Sequence, residues 1–139
     1  MRKKMKKFIT AFSLMALSLQ SQAFEFKENN ALPSEEAFKV FVEENDEKIT
    51  VLFDTERDYY LYKDKIEFFA GEEKIETSLP KGFMKDDSYF GRVEIYPLDF
   101  KVEIKKEQLK SSETLTIKHQ GCASVYDLCY VPRTDEFNI

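Results

Sequence analysis

The stretch Lys48-Ile49-Thr50-Val51-Leu52-Phe53 decides the fold, because Ile49, Val51 and Phe53 recur at every second position. Residues two apart share one face of a strand, whereas a helix spreads them around its axis. The same period returns at Tyr60 and Tyr62, at Ile66 and Phe68, at Val93 and Ile95, at Phe100, Val102 and Ile104, and at Leu115 and Ile117. β-Branched and aromatic residues dominate these runs, as half-buried strands require. Turn signals separate them at Glu44-Asn45-Asp46, Ala70-Gly71-Glu72, Pro80-Lys81-Gly82, Tyr96-Pro97 and Ser111-Ser112. Short strands at this spacing, with no long 3.6-period stretch after the first residues, predict an all-β, antiparallel β-sandwich. Leu32–Phe38 leaves two readings open: one helical turn with Ser34 as its N-cap, or a direct entry into a first strand through Val40 and Val42.

The N-terminus sets the expected compartment. Arg2, Lys3, Lys4, Lys6 and Lys7 precede an apolar run from Phe8 to Leu19, and Ser21-Gln22-Ala23 offers small residues for cleavage. This is the pattern of a secretory signal peptide over residues 1–23. The expected mature chain, 24–139, is a single domain that enters an oxidising space. Cleavage removes five of the 21 basic residues and leaves 16 against 26 acidic ones, a formal charge of −10. Such a surface disfavours nucleic acid and anionic lipid as partners.

Cys122 and Cys129 are the two cysteines of the chain, and bonded together they close a loop of eight residues. So short a loop contributes only about 2.5 kcal/mol in the chain-entropy model. A redox role therefore stands beside that of an ordinary hairpin disulfide. His119, the single histidine, excludes a multi-histidine metal site and is expected at a surface or strand edge; no metal or other cofactor is called for. The four glycines are scattered through turns and form no phosphate loop. Two aromatic groups attract attention. Tyr59-Tyr60-Leu61-Tyr62 puts Tyr60 and Tyr62 on one strand face, and Met84-Lys85-Asp86-Asp87-Ser88-Tyr89-Phe90-Gly91 sets Tyr89 and Phe90 in a polar stretch that reads as a loop.

Gly121-Cys122 with Cys129-Tyr130-Val131-Pro132, Tyr59-Tyr60-Leu61-Tyr62-Lys63, Leu79-Pro80-Lys81-Gly82, and Asp87, Gly91 and Glu94-Ile95-Tyr96 together carry a resemblance. The chain from about Leu32 to Thr134 resembles the N-terminal periplasmic domain of the thiol:disulfide interchange protein DsbD. The resemblance implies an immunoglobulin-like sandwich whose cysteine pair takes electrons from a membrane thiol reductase with a thioredoxin-like domain. It passes them to periplasmic thioredoxin-fold clients, namely disulfide isomerases and cytochrome c maturation thioredoxins. Carried over by position, Cys129 matches the cysteine that forms the mixed disulfide and Cys122 the one that resolves it. Tyr89 stands where the family has a phenylalanine that caps the disulfide. Asp87 matches a carboxylate beside the cysteines, Tyr60 and Tyr62 match aromatics packed near them, and Phe90 and Tyr130 belong to the same surroundings. Ser88 departs from a second acidic residue of better-known members, and the stretch between the cysteines is one residue longer than theirs. The family domain is usually followed by membrane helices and a thioredoxin-like domain, whereas this sequence ends ten residues after Cys129. Either a free-standing carrier served by a separate reductase or a different electron supply accounts for that.

Physical chemistry agrees with such a role. With Asp87 nearby and no cationic neighbour evident in the sequence, the thiols are expected at or above the usual value of about 8.5, slow toward random disulfides. The competing expectation is a secreted immunoglobulin-like binding module whose disulfide is purely structural.

Overall fold

A computed structural model describes residues 30–139. The signal-peptide reading of residues 1–23 lies outside the described residues. Both readings of Leu32–Phe38 are realised in turn: one helical turn, α1 (Ser34–Ala37), leads directly into strand β1 (Phe38–Glu44). Ser34 is the first helical residue rather than the cap. Pro33 occupies the cap position with its φ preset, and its carbonyl accepts from the amides of Glu36 and Ala37.

The strands that alternation predicted are present and antiparallel. β1 pairs with β2 (Lys48–Thr55), and β2 pairs with β8 (Phe100–Lys105). Ile49, Val51 and Phe53 are fully buried while Leu52 between them faces outward, and Val51 lies opposite Val42 and Val102. The β1–β2 turn is closed by the Asn45 side chain, whose Oδ1 accepts from the amides of Glu47 and Lys48 at 2.9 Å each. A second sheet runs β12-β9-β4-β5, from Arg133–Asn138, Thr114–His119, Glu67–Ala70 and Glu73–Ile75. The third runs β11-β10-β3-β7-β6, from Leu128–Cys129, Gly121–Ala123, Tyr59–Tyr62, Gly91–Tyr96 and Phe83–Asp87. Their inward faces enclose one core of Phe38, Phe53, Leu61, Phe68, Leu115 and Ile117 with their neighbours.

Three expectations are corrected. The stretch Met84–Gly91 is not one loop: Phe83–Asp87 is strand β6, and only residues 88–90 form the turn into β7. Its alternation is hidden because Phe83 and Met84 are both exposed whereas Asp87 is buried. His119 is not at a surface. It is 1% exposed on β9, where Nε2 meets Asp135 Oδ2 of the paired strand β12 at 2.8 Å. With Asp135 ionised, the neutral ring must donate that Nε2–H. Burial first of all holds the His119 pKa down, against the pull of Asp135. Arg133 completes this group, donating to Asp135 at 2.9 Å and to the Phe38 carbonyl at 2.6 Å. The last strand is thereby tied to the first. The third correction, to the charge around the cysteines, belongs to the site.

Candidate redox site

β3 is buried on both faces, and this creates the site. Tyr59 and Leu61 enter the main core, whereas Tyr60 and Tyr62 point the other way and join Ile95 and Cys122, with Val93 and Cys129 at the margin. This second cluster lies on the outer face of the five-stranded sheet, away from the inter-sheet core.

Cys122 and Cys129 are bonded to each other and sit directly opposite on β10 and β11, their Cα atoms 4.0 Å apart. The Tyr130 amide donates to the Gly121 carbonyl at 3.0 Å, so the cysteines occupy a non-hydrogen-bonded pair, where facing side chains approach most closely. Gly121 is required here by space. A Cβ at that position would lie 2.5 Å from Phe38 Cζ and 2.5 Å from the Tyr60 carbonyl oxygen. The two cysteines are unequal in exposure: Cys122 is 2% exposed, while Cys129 is half-buried.

Tyr62 serves both sulfurs. Its hydroxyl is 2.9 Å from Cys122 Sγ and 3.5 Å from Cys129 Sγ, and toward a disulfide it can only donate. Burial drives the Tyr62 pKa well above the ordinary phenol value. Tyr60, directly across the strand pair from Cys122, donates to Asp87 Oδ2 at 2.5 Å. Burial and that carboxylate push its pKa up to about 12. Burial alone would raise Asp87, but the Tyr60 hydroxyl and the amides of Tyr89 and Phe90, at 2.9 and 3.0 Å, outweigh it and hold the carboxyl below its usual range. Asp87 thus folds the turn 88–90 back over the cluster.

That turn places the Tyr89 ring beside the sulfurs and the Phe90 ring against Tyr62. Tyr89 borders a cavity of about 30 Å³ together with both cysteines, and its hydroxyl donates to the Asp127 carbonyl on the β10–β11 turn at 3.0 Å. Phe90 stands edge-on to Tyr62, ring centroids 4.9 Å apart. Ser88 reaches the Asp127 carboxylate weakly, at 3.4 Å. Space for about one water is all that remains between turn and sulfurs.

Of the residues singled out from sequence, Tyr60, Tyr62 and Tyr89 lie beside the cysteine pair, whereas Asp87 and Phe90 stand behind Tyr60 and Tyr62 respectively. Tyr130 does not share that face: its ring packs edge-on against Phe38 at 5.7 Å, and its hydroxyl donates to the Leu32 carbonyl. Lys85 and Asp127 were missed. Lys85 borders the same cavity, its Nζ 5.5 Å from the Tyr60 ring centroid, so the cysteines do have a cationic neighbour. Its two-residue spacing from Asp87 is the signal, hidden while β6 read as a loop.

The family model of the thiol:disulfide interchange protein DsbD, N-terminal, matches residues 28–139. The chain belongs to the DsbD N-terminal domain family. It is 31% identical over 104 residues to DsbD of Citrobacter koseri and 32% identical over 104 residues to DsbD of Salmonella typhi, in each case covering 74% of this chain. It spans 18% of the length of those relatives. Among solved structures, it resembles the reduced Neisseria meningitidis DsbD N-terminal domain at a TM-score of 0.70 and 32% identity, covering 80% of this chain and 90% of that one. It also resembles the complex between the DsbD N-terminal and PilB N-terminal domains of N. meningitidis, at a TM-score of 0.64 and 29% identity, covering 79% of this chain and 88% of that one. The sandwich is therefore the immunoglobulin-like one of the DsbD N-terminal domain.

Proposed function

We propose that this domain is a periplasmic electron carrier, a protein-disulfide reductase component that relays reducing equivalents through Cys122 and Cys129. A membrane thiol reductase with a thioredoxin-like domain supplies them, and thioredoxin-fold proteins such as disulfide isomerases or cytochrome c maturation thioredoxins receive them. The role requires export, for which residues 1–23 would serve as the signal.

The observation that carries the reading is the position of the disulfide. It lies outside the main inter-sheet core, in the small outer cluster between strands already paired, so opening it leaves the main core intact and frees little chain entropy. A structural staple is best placed where the opposite holds. In the reduced domain the Cys129 thiolate attacks one sulfur of a client disulfide, and the client's other sulfur leaves as a thiolate. The Cys122 thiolate then attacks Cys129 Sγ, re-forming the Cys122–Cys129 bond and releasing the second client sulfur as thiolate. Two electrons pass to the client, and protons come from solvent. The half-buried Cys129 suits the first step and the enclosed Cys122 the second.

Trapping tests the order. Cys122→Ser, mixed with an oxidised thioredoxin-fold domain, is expected to accumulate a mixed disulfide at Cys129, whereas Cys129→Ser accumulates far less through Cys122. Equal trapping by both variants, or by neither, contradicts the proposal.

A further inference from the structure

Lys85 has no task in the fold that its neighbours explain. It lies on β6 opposite Val93, on the same strand face as Asp87, and borders the small cavity with Cys122 and Cys129. Its ammonium sits over Tyr60, the residue directly across from Cys122. Among the described residues it has no carboxylate within 4.0 Å. Asp87 is already occupied by the Tyr60 hydroxyl and two backbone amides. Arg92, the cation on the neighbouring strand, is paired with Asp86 at 3.1 Å, and Lys65 lies over the Phe90 ring, 4.9 Å from its centroid.

We infer that Lys85 is a positioning residue for the exchange reaction, stabilising the thiolate that appears on Cys122 when the disulfide opens. The inference rests on the exchange role proposed above. When a partner thiolate attacks Cys129 Sγ, a new Cys129–partner bond forms, the Sγ–Sγ bond breaks, and its electron pair leaves on Cys122. That charge arises in a nearly closed space where Tyr62 supplies one O–H donor, Asp127 borders the space with negative field, and Asp87 adds to that field from behind Tyr60. Lys85 is the cation that borders the space. It offsets the two carboxylates, and a better-stabilised leaving thiolate departs faster. The titratable and charged groups facing the sulfurs are thus Tyr60 and Tyr62 from β3, Lys85 from β6, Tyr89 from the following turn and Asp127 from the β10–β11 turn, with Asp87 behind Tyr60.

The test is the pH dependence of alkylation of the reduced chain by iodoacetamide, a neutral probe, with Cys122 and Cys129 resolved by peptide mass. Lys85→Gln and Lys85→Met are expected to raise the Cys122 midpoint by about 0.5 pH unit, and Lys85→Arg to keep it near the parent. Lys101→Gln, on β8, serves as the control and leaves it unchanged. A Cys122 midpoint in both neutral variants within 0.1 unit of the parent overturns the inference. So does an equal rise in the arginine variant. Circular dichroism of the same reduced samples separates the two questions. A domain that melts on reduction defeats the exchange role itself, whereas a folded domain without the shift defeats only the part given to Lys85.

Discussion

Removing the Tyr89 ring is expected to expose the disulfide to small reductants. In the described structure Tyr89 is tied across the cavity by one hydrogen bond, from its hydroxyl to the Asp127 carbonyl. A neutral bond of this kind contributes about 1 kcal/mol net, a factor of about five in an opening equilibrium. The residue is 55% exposed, so somewhat less than half of an aromatic's burial energy, again about 1 kcal/mol, holds the ring down. If the turn must lift before a sulfur is reached, Tyr89→Phe speeds reduction about fivefold. Tyr89→Ala speeds it roughly ten- to thirtyfold. Stability falls by no more than about 2 kcal/mol, since the same two contributions are all that is lost. The assay is the pseudo-first-order rate of disulfide reduction by dithiothreitol, with thermal melts of each variant run alongside. A Tyr89→Ala rate within twofold of the parent refutes the reasoning, because the sulfurs would then be open without any movement of the turn.

Three further outcomes follow from neighbouring geometry. Gly121→Ala sets a Cβ against Phe38 and the Tyr60 carbonyl and is expected to destabilise by about 1–3 kcal/mol or more in a urea titration; a loss below about 0.5 kcal/mol contradicts the close packing described. Asp87→Asn weakens three hydrogen bonds at a buried position and should cost about 1–3 kcal/mol. Because the folded pKa of Asp87 is depressed, its contribution is complete above about pH 4 and is lost as pH falls through the folded value. The variant should lack that share of the acid slope. His119, also depressed, binds its proton more readily in the unfolded chain, so stability is complete above about pH 6.5 and declines as pH falls toward the folded value. His119→Gln should flatten the stability slope below about pH 6.5, and an unchanged slope would show that another group sets it.

Much of the sandwich is legible in the sequence, and the failures have physical causes. Ile49, Val51 and Phe53 announce β2 because one face is buried and the other wet. β12 carries Arg133, Asp135 and Phe137 on its inward side, and the two charged residues are tolerated there because they bond to each other, Asp135 also to His119 and Arg133 also to the Phe38 carbonyl. Nothing local in the sequence shows that partner strand, so His119 reads as a surface residue. β6 inverts the usual pattern, with phenylalanine outside and aspartate inside, since Asp87 finds its donors on β3 and in the following turn. The cysteine spacing reveals a short bridged loop, but that the bridge lies on the outer sheet face depends on Tyr59–Tyr62 being buried on both sides. Lys85 is invisible until β6 is known to be a strand.

The most direct test of the carrier account is a redox titration of the purified chain against glutathione and a thioredoxin-fold protein, with circular dichroism recorded on both end states. The account predicts a folded domain in each state and reversible exchange at a potential above roughly −300 mV, in the range of known carriers. A pair that resists reduction to below roughly −300 mV, and whose opening melts the domain, would make Cys122–Cys129 a structural bond and contradict the account.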